Sequence, residues 1–215
     1  MFGLGRFTGA IHHALIFGRR VRALADHAAS VIPAGAQTVL DVGCGDGTLA
    51  RLLLLRRPEL RVTGLEIQVR PETAIPVIQF DGRSMPYDSG SHDVVMMMDV
   101  LHHAQDAHAL LRESARVASR AVIVKDHVLG RFLSGPRLRM MDWAGNVAHG
   151  VALPYNYWTR DQWSIAFERA KLQEVERREH LGLYPPPVSW IFEPNLHFLS
   201  RLTPLGDEVS PRQAE

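Results

Sequence analysis

The stretch Thr38–Thr48, TVLDVGCGDGT, decides the fold of this 215-residue chain. β-branched and apolar residues end in three glycines spaced Gly-x-Gly-x-Gly, and residues 48–57 continue with strong helix formers. Glycines at the carboxyl end of a strand allow a tight turn and let a ligand approach the backbone. Because Thr48 stands where the dinucleotide fingerprint has its third glycine, a nicotinamide or flavin site is a poorer match. The stretch predicts a strand, a ligand-binding turn and a helix.

Strand and helix patterns alternate on both sides of this turn. Upstream, apolar residues recur every three to four positions over 8–32 and predict an N-terminal helix that Gly18 could break. Downstream, the predicted strands are 61–67, 76–80, 93–98 and 121–125, and the predicted helices are a short piece at 68–74 and a longer one at 107–117. Because parallel neighbours need a crossover connection, the alternation predicts an α/β, doubly wound parallel sheet with helices on both faces.

The pattern changes after Gly130. Aromatic residues crowd among glycines and prolines, so we interpret 130–160 as an insertion that forms a lid over the sheet edge. A helix is predicted at 162–171. Strands predicted at 172–183 and 196–202 are expected to be antiparallel to each other, because so short a connection joins them. The polar segment 203–215 is expected to be a flexible tail.

Two carboxylates follow the second and third predicted strands. Glu66 ends the second strand, where it could accept hydrogen bonds from both hydroxyls of a ribose. Asp81, which ends the third strand before Gly82, is placed to accept one from an exocyclic amine such as adenine N6. The alternatives are a solvated Glu66 and an Asp-Gly turn at residues 81–82. The ligand interpretation predicts that three neighbouring strand ends face one nucleoside.

Four segments in order carry a resemblance to a known family: residues 39–48, Glu66, residues 81–86 and residues 91–103. They resemble the successive motifs of class I S-adenosylmethionine-dependent methyltransferases, in particular the small-molecule subgroup that includes ubiquinone/menaquinone-type enzymes. The resemblance covers residues 38–125. It implies a single methyltransferase domain over 1–215, a Rossmann-like seven-stranded sheet with one antiparallel inserted strand, and S-adenosylmethionine as the cofactor with S-adenosylhomocysteine as its product.

The resemblance also implies where the cofactor lies. Asp41 and the turn 43–47 would lie near its methionine part, Glu66 at its ribose and Asp81 near its adenine. The cofactor-binding residues predicted in this way are Asp41, Gly43, Cys44, Gly45, Glu66, Ile67, Asp81, Gly82 and Asp99.

Methyl transfer from a sulfonium is an in-line displacement that needs alignment and exclusion of water, and an acceptor hydroxyl also benefits from a general base. Bases are expected at the ends of the fourth and fifth strands, which face the crevice. We predict His103, Asp126 and His127 in this role, with the alternative that the histidines at 102–103 pack beneath the cofactor. Metal-dependent members of the wider superfamily hold magnesium with carboxylates at these strand ends, which Asp99 and Asp126 could mimic. We predict no metal.

Substrate recognition is assigned to the lid. Trp143, His149 and Tyr155 are predicted to contact the acceptor, because apolar walls with a few polar groups suit a small planar or lipid-like molecule. The alternative is that the aromatic residues only close the core. The N-terminal segment 1–34 is predicted to be a helical cap over the site, and its arginines leave peripheral docking on an anionic membrane as the alternative.

Composition bounds the remaining function classes. A formal net charge of +1 provides no excess for a phosphate backbone, so no nucleic-acid partner is predicted. Cys44 is the only cysteine, which excludes an internal disulfide and a multi-thiolate metal cage. No apolar run reaches the about 18 residues of a membrane span, and we expect a cytoplasmic protein. The predicted function is methyl transfer to a small, apolar or aromatic acceptor; the alternative is a catalytically degenerate domain that acts as a binding or scaffold subunit.

Overall fold

A computed structural model describes residues 4–130, 133–146 and 156–205 of the chain. The strands are β1 (Thr38–Val42), β2 (Arg61–Glu66), β3 (Val77–Gln79), β4 (His92–Met98), β5 (Ala118–His127), β6 (Leu172–Arg178) and β7 (His197–Pro204). The helices are α1 (Leu4–Val31), α2 (Thr48–Arg56), α3 (Ala107–Val117), α4 (Ser134–Asn146), α5 (Arg160–Arg169) and α6 (Val188–Phe192), and a 3₁₀ turn spans Leu101–His103. The strands form one sheet in the order β3-β2-β1-β4-β5-β7-β6.

Strand direction follows the prediction. β1 to β5 pair in parallel, whereas β7 runs antiparallel to both of its neighbours, β5 and β6. The doubly wound, seven-stranded sheet with one antiparallel inserted strand is therefore confirmed. The carboxyl ends of the five parallel neighbours lie at one edge of the sheet, which is where ligands bind in open sheets of this kind.

Helices cover both faces of the sheet and create two cores. Leu40 of β1 is buried on the face covered by α3 and α5, together with Leu111. Val39 is buried on the opposite face, beneath α1 and α2, together with Leu24. Because successive strand side chains point to opposite faces, Asp41 shares the face of Val39. The first and second helices therefore cover the side of the sheet on which this carboxylate lies.

The connection between β2 and β3 contains no helix, so the helical piece predicted at 68–74 is wrong. Pro71 and Pro76 lack the backbone N–H that a helix needs. Instead, the N–H of Ala74 donates to the carbonyl of Asp46 at 2.8 Å, and the carbonyl of Pro76 accepts the N–H of Gly64 at 2.8 Å. The connection is thereby tied to the glycine turn and to β2.

α1 is one continuous helix of 28 residues that passes through Gly18, a residue that could have broken or kinked it. A single glycine costs a helix about 1 kcal/mol relative to alanine. Packing of Leu24 and Ala28 into the core offsets that cost. Within the described residues, no helix is both long and apolar enough to cross a lipid bilayer.

β5 and β7 are longer than predicted, whereas β6 ends at Arg178 and is shorter than the strand predicted at 172–183. β5 spans 118–127 because its final residues pair with β7, where His127 lies opposite His197. β7 continues through Thr203 and Pro204, where the flexible tail was expected to begin, because both residues pair with β6. Residues 206–215 of the predicted tail lie outside the described residues.

Candidate active site

The glycine turn after β1 has a backbone that glycine adopts without strain. Gly43, Gly45 and Gly47 have φ angles of 70°, 60° and 77°, in the left-handed region. A Cβ on Gly43 would lie 2.6 Å from Cγ2 of Val100, so the turn packs directly against the loop after β4. The N–H of Gly43 also donates to the carbonyl of Leu65 at 2.7 Å. The ends of β1, β2 and β4 therefore meet at this turn.

The carboxylate of Glu66 bridges the end of β2 and the glycine turn. Its Oε2 accepts the N–H of Gly45 and its Oε1 accepts the N–H of Ile67, both at 2.8 Å. The Ile67 side chain is 57% exposed and packs over Gly82, where an added Cβ would lie 2.8 Å from its Cδ1. The structure thus brings four of the predicted cofactor residues to one edge.

Asp81 shapes the loop after β3. Its Oδ1 accepts the N–H groups of Ser84 and Arg83, each at 2.8 Å, and these bonds lower the pKa of the carboxyl. This is the turn that the sequence offers as the alternative to adenine binding. The loop nevertheless starts beside the end of β2, because the carbonyl of Glu66 accepts the N–H of Phe80 at 3.1 Å.

Asp41 is buried and Cys44 is half-buried beneath the turn. Burial, followed by repulsion from Glu66, raises the pKa of Asp41 to about 7. Burial, followed by Asp41 and Glu66, raises the pKa of Cys44 to about 12, so this thiol stays protonated and is not a nucleophile. Positive charge on a ligand at this edge would favour ionisation of Asp41.

Asp99 follows β4 with a left-handed φ of 59° and is the centre of a buried charge cluster. Its carboxylate forms ion pairs with Arg20 of α1 and Lys125 of β5. Burial alone would raise the pKa of Asp99, but Arg20 and Lys125 hold it well below its ordinary value. Burial lowers the pKa of the Lys125 ammonium, and Asp99 opposes that effect. Through Arg20, α1 reaches the carboxyl edge of the sheet.

Asp126 holds the 3₁₀ turn after β4 in place. Its Oδ2 accepts the N–H groups of Leu101 at 3.0 Å and His102 at 3.3 Å. Its Oδ1 accepts Nδ1–H of His102 and the N–H of His127, both at 2.7 Å. Burial raises the pKa of Asp126, but the charge and the hydrogen bond of His102 bring it below its ordinary value. With four accepted bonds and no exposed surface, Asp126 positions its neighbours.

His127 ends β5 and is buried between two groups of the cluster. Its Nδ1 lies 3.2 Å from Nδ1 of His197, and its Nε2 lies 3.8 Å from Oδ1 of Asp99. Burial, followed by the charges of His102 and Lys125, holds the pKa of His127 well below its ordinary value. The imidazole is therefore neutral near pH 7.

Three residues of this cluster are absent from the sequence predictions: Arg20, Lys125 and His197. The sequence contains a signal for Lys125, because a lysine at the end of a predicted buried strand is rarely left without a charge partner. Arg20 and His197 had none, since they lie 79 and 70 residues from Asp99 and His127, their respective partners. Only the folded sheet brings them together.

Comparison with known proteins shows what this edge of the sheet is similar to. Residues 40–123 match the family model described as "Methyltransferase domain". The matched stretch contains the glycine turn, Glu66, Asp81 and Asp99. Residues 40–123, called the methyltransferase domain below, are therefore similar to this family. The predicted resemblance is confirmed at this level, and its assignment to the ubiquinone/menaquinone-type subgroup stays a prediction.

Individual relatives are similar over part or all of the methyltransferase domain. The 27-O-demethylrifamycin SV methyltransferase of Amycolatopsis mediterranei is 29% identical over 108 residues, which are 44% of this chain and 39% of that protein. The chain therefore spans less than half of this relative.

Solved structures are similar to this chain over the whole sheet, and so beyond the methyltransferase domain. The complex of the Haloferax volcanii Trm112 methyltransferase activator with a methyltransferase matches with a TM-score of 0.69 and 19% identity, over 90% of this chain and 94% of the matched chain. The geranyl diphosphate C-methyltransferase of Streptomyces coelicolor matches with a TM-score of 0.64 and 14% identity, over 85% and 80%. At these identities the likeness is one of fold.

The residues predicted to contact the acceptor lie beyond the methyltransferase domain. Trp143 is in α4, the helix that follows β5, and its side chain lies outside the described set. His149 and Tyr155 lie in the segment 147–155, outside the described residues. Their contact with an acceptor stays a prediction.

Three histidine rings lie close together, tilted against one another, where β4 and β5 end. The ring of His103, in the 3₁₀ turn, lies 3.9 Å from that of His102, and the ring of His102 lies 4.5 Å from that of His127. Tyr157 lies over this pair, with ring centroids 6.1 Å from His102 and 6.0 Å from His127. Tyr157 is thus an aromatic residue of the predicted lid that the structure places beside the cluster.

Asp99, Asp126 and His127 offer ligand atoms within 4.8 Å of one another. A divalent cation among them would meet Arg20 and Lys125, which already pair with Asp99, and an Asp126 that already accepts four hydrogen bonds. Two resident cations repel a third at this distance. The group is better described as an ion-pair network of the methyltransferase domain than as a metal centre.

Proposed function

We propose that this chain transfers the methyl group of S-adenosylmethionine to a small-molecule acceptor and releases S-adenosylhomocysteine. The observation that carries the proposal is that the glycine turn, Glu66 and Asp81 follow β1, β2 and β3 at one edge of a methyltransferase domain. Carboxylates and backbone groups at neighbouring strand ends are the groups that hold a nucleoside in open α/β sheets. The Streptomyces coelicolor neighbour, which shares this fold, was solved with S-adenosylhomocysteine.

The residues at this edge suit a cationic nucleoside. When bound, the cofactor supplies an activated methyl group on a positively charged sulfur. Glu66 has the acceptor oxygens that two ribose hydroxyls require, and the left-handed turn lets a ligand approach the backbone without meeting a Cβ. Asp41 and Glu66 repel each other, which a positive ligand would relieve. Cys44, Gly45, Ile67, Gly82 and Asp99 are proposed to line the same crevice.

The remaining tasks of the protein are alignment and exclusion of water. Arg20 brings α1 to the site and Tyr157 covers the histidines, which supports a cap and a lid around the acceptor. We propose a small apolar or aromatic acceptor, with a quinone of the ubiquinone/menaquinone type as one member of that class. Trp143, His149 and Tyr155 remain its proposed contacts.

The predicted bases divide into two groups. Asp126 is assigned a positioning role, because its oxygens hold the 3₁₀ turn and His127. His103 and His127 stay candidates for the base, and His127 is the one whose surroundings in the structure favour that role. A catalytically degenerate scaffold is not favoured, because relatives that match the domain are named for methyl transfer to specific small molecules, such as 27-O-demethylrifamycin SV.

Isothermal titration calorimetry with S-adenosylmethionine and S-adenosylhomocysteine tests the proposal. Wild-type protein is expected to bind both. Glu66→Ala is expected to weaken binding by about 10- to 100-fold, because a hydrogen bond to a charged group contributes about 1.5–3 kcal/mol. The matched control is Glu72→Ala, which removes an exposed carboxylate from the neighbouring loop and should leave binding unchanged.

Two results would contradict the proposed function. One is an absence of binding by folded wild-type protein, and the other is unchanged affinity in Glu66→Ala. A panel of phenols, amines and quinols then separates enzyme from scaffold, because only an enzyme accumulates S-adenosylhomocysteine when an acceptor is added.

A further inference from the structure

His197, in β7, is fixed by contacts on both ring nitrogens. Its Nε2 lies 2.9 Å from the backbone carbonyl of Phe192. A carbonyl oxygen only accepts hydrogen bonds, so Nε2 of His197 carries a proton. The ring is 1% exposed, and burial holds its pKa well below the ordinary value. His197 is thus neutral, and its Nδ1 has a lone pair and no proton.

A lysine independently assigns the same nitrogen as an acceptor. Nζ of Lys125 lies 3.3 Å from Nδ1 of His197. A lysine ammonium donates hydrogen bonds and accepts none. Two neighbours of His197, the carbonyl of Phe192 and the ammonium of Lys125, therefore require the same tautomer.

This tautomer of His197 determines the tautomer of His127. The two Nδ1 atoms lie 3.2 Å apart, and two unprotonated nitrogens would repel each other at that distance. The arrangement that avoids this repulsion has Nδ1 of His127 donating to Nδ1 of His197, whose single lone pair also faces the ammonium of Lys125. A neutral imidazole has one N–H, so Nε2 of His127 is the nitrogen with the lone pair.

Nε2 of His127 lies on the side of Asp99, 3.8 Å from Oδ1. The titratable groups that face His127 are Asp99, Asp126, His102, His197 and Lys125, with Tyr157 above the ring. The side chains of Asp99 and Arg20 are 16% and 24% exposed, whereas that of His127 is 2% exposed, so Asp99 and Arg20 form the exposed side of the cluster. Nε2 of His127 lies directly behind the carboxylate of Asp99, and these two groups are the acceptors on that side.

We propose that His197 is a positioning residue that holds His127 as its Nδ1–H tautomer, and that Nε2 of His127 accepts the proton of an acceptor substrate bearing a hydroxyl or an amine. The second half of this proposal rests on the proposed function. The first half concerns the free protein and is measured without any ligand.

The transfer step balances with these groups. A lone pair on the acceptor oxygen or nitrogen forms a bond to the methyl carbon, and the carbon–sulfur bond breaks with its electron pair left on sulfur. The acceptor proton moves to Nε2 of His127, and the imidazolium so formed lies beside the negative charge of Asp99. A weakly basic histidine suffices, because the acceptor proton becomes strongly acidic as the new bond forms.

Nitrogen-15 NMR of the histidine side chains tests the tautomer directly. The signals of His127 are assigned by their loss in His127→Gln. In wild-type protein they are expected to show the Nδ1–H form. His197→Asn retains a hydrogen-bond acceptor at the δ position and should preserve that form, whereas His197→Leu removes the acceptor and should shift His127 towards the Nε2–H form.

An Nε2–H tautomer of His127 in wild-type protein would overturn the proposal. The wild-type spectrum alone gives this result, so the test holds even if His197→Leu does not fold. An unchanged Nδ1–H signal in folded His197→Leu would also overturn it, because His197 would then not be the residue that fixes the tautomer. A failure to bind the cofactor would contradict the proposed function. It would not affect the histidine spectra, which are recorded without a ligand, so the two failures are distinguishable.

The substrate class is tested on each acceptor that yields S-adenosylhomocysteine. Capping its hydroxyl as a methyl ether, or its amine as a fully alkylated amine, is expected to abolish turnover. His197→Leu is expected to lower kcat by about 10²- to 10⁴-fold, the usual contribution of general base catalysis, with little change in KM, while His197→Asn retains most of kcat. Equal turnover of a capped and an uncapped acceptor would overturn the assignment of an O–H or N–H acceptor.

Discussion

Arg20 of α1 and Asp99, after β4, form an ion pair across 79 residues of sequence, and this pair joins the N-terminal helix to the carboxyl edge of the sheet. Lys125 pairs with the other oxygen of the same carboxylate. Burial raises the pKa of Asp99, and both cations lower it and so favour the ionised carboxylate. The N-terminal helix is therefore part of the electrostatics of the site as well as of the core.

Arg20→Gln is expected to lower the free energy of unfolding by about 1–3 kcal/mol. Removing one partner of a fully buried pair costs about 3–5 kcal/mol, and partial exposure of this pair together with the remaining Lys125 reduces the loss. Urea unfolding followed by circular dichroism measures it. The control is Arg22→Gln, an exposed arginine two positions away, which should cost less than about 0.5 kcal/mol. Equal losses in the two variants would contradict the inferred role of Arg20.

Asp41→Asn is expected to stabilise the protein and to weaken cofactor binding. The pKa of Asp41 is about 7 in the folded chain against an ordinary value of 3.8. The folded chain therefore keeps a proton between these values that the unfolded chain has lost, and ionisation of Asp41 subtracts stability as pH rises across this range. The gain from asparagine should grow by up to about 1.4 kcal/mol per pH unit up to pH 7 and then level off.

Urea unfolding of Asp41→Asn at pH 5, 6, 7 and 8 checks this dependence. The control is Asp88→Asn, which makes the same replacement at an exposed aspartate and reports the effect of removing a surface carboxylate. A pH-independent gain in Asp41→Asn would mean that the carboxyl is not held neutral by burial and by Glu66.

Local pattern was sufficient to predict the strands and the order of the site motifs. α3 matched its predicted range, 107–117, residue for residue, because apolar periodicity runs through the whole helix. Glu66 and Asp81 were singled out for the same reason, since Glu66 ends one strand that the pattern reveals and Asp81 lies just after another. The helix predicted at 68–74 failed because tertiary bonds of Ala74 and Pro76 outweigh a weak helical propensity.

The charge cluster could not be predicted in the same way. The cluster is assembled from four separate parts of the chain, which contribute Arg20, Asp99, Lys125 and His197. These residues meet because α1 crosses the edge of the sheet and because β7 is inserted beside β5. The tautomer of His127 depends on a residue 70 positions away. Hydrogen bonds of this kind depend on how distant segments pack in the fold. The pattern of apolar residues within one segment does not predict that packing.

Gly43→Ala is expected to destabilise the chain more than Gly182→Ala, which replaces another glycine at a similar φ. Both Gly43 and Gly182 are left-handed, at φ 70° and 62°, and alanine costs about 1–2 kcal/mol in that region. At Gly43 the added Cβ would also lie 2.6 Å from Cγ2 of Val100, whereas none of the described atoms lies within 4 Å of one at Gly182. Overpacking of this kind costs about 1–3 kcal/mol more.

The double variant Gly43→Ala with Val100→Ala isolates the steric part. The double variant should lose less stability than the sum of the losses in the two single variants, because the clash between the two side chains is gone. The strain from the left-handed φ remains. Thermal unfolding of the four proteins, with Gly182→Ala as the reference for φ alone, measures both contributions. Strict additivity of the two changes would show that the turn does not pack against the loop after β4 as described.

The contribution of His127 and His197 to stability is expected to fall as pH decreases from 6.5 towards 5, because both are held neutral in the fold, whereas the contribution of Asp41 rises over the same range. Their folded pKa values lie well below the ordinary 6.5, so in this window the unfolded chain binds protons that the folded chain does not. Each histidine contributes a slope of up to about 1.4 kcal/mol per pH unit. Urea unfolding of His197→Asn across pH 5 to 7.5 should show a shallower dependence than wild type by up to one such slope, since asparagine takes up no proton. The same slope in both proteins would indicate that His197 is protonated in the fold, which its bonds to Phe192 and Lys125 do not allow.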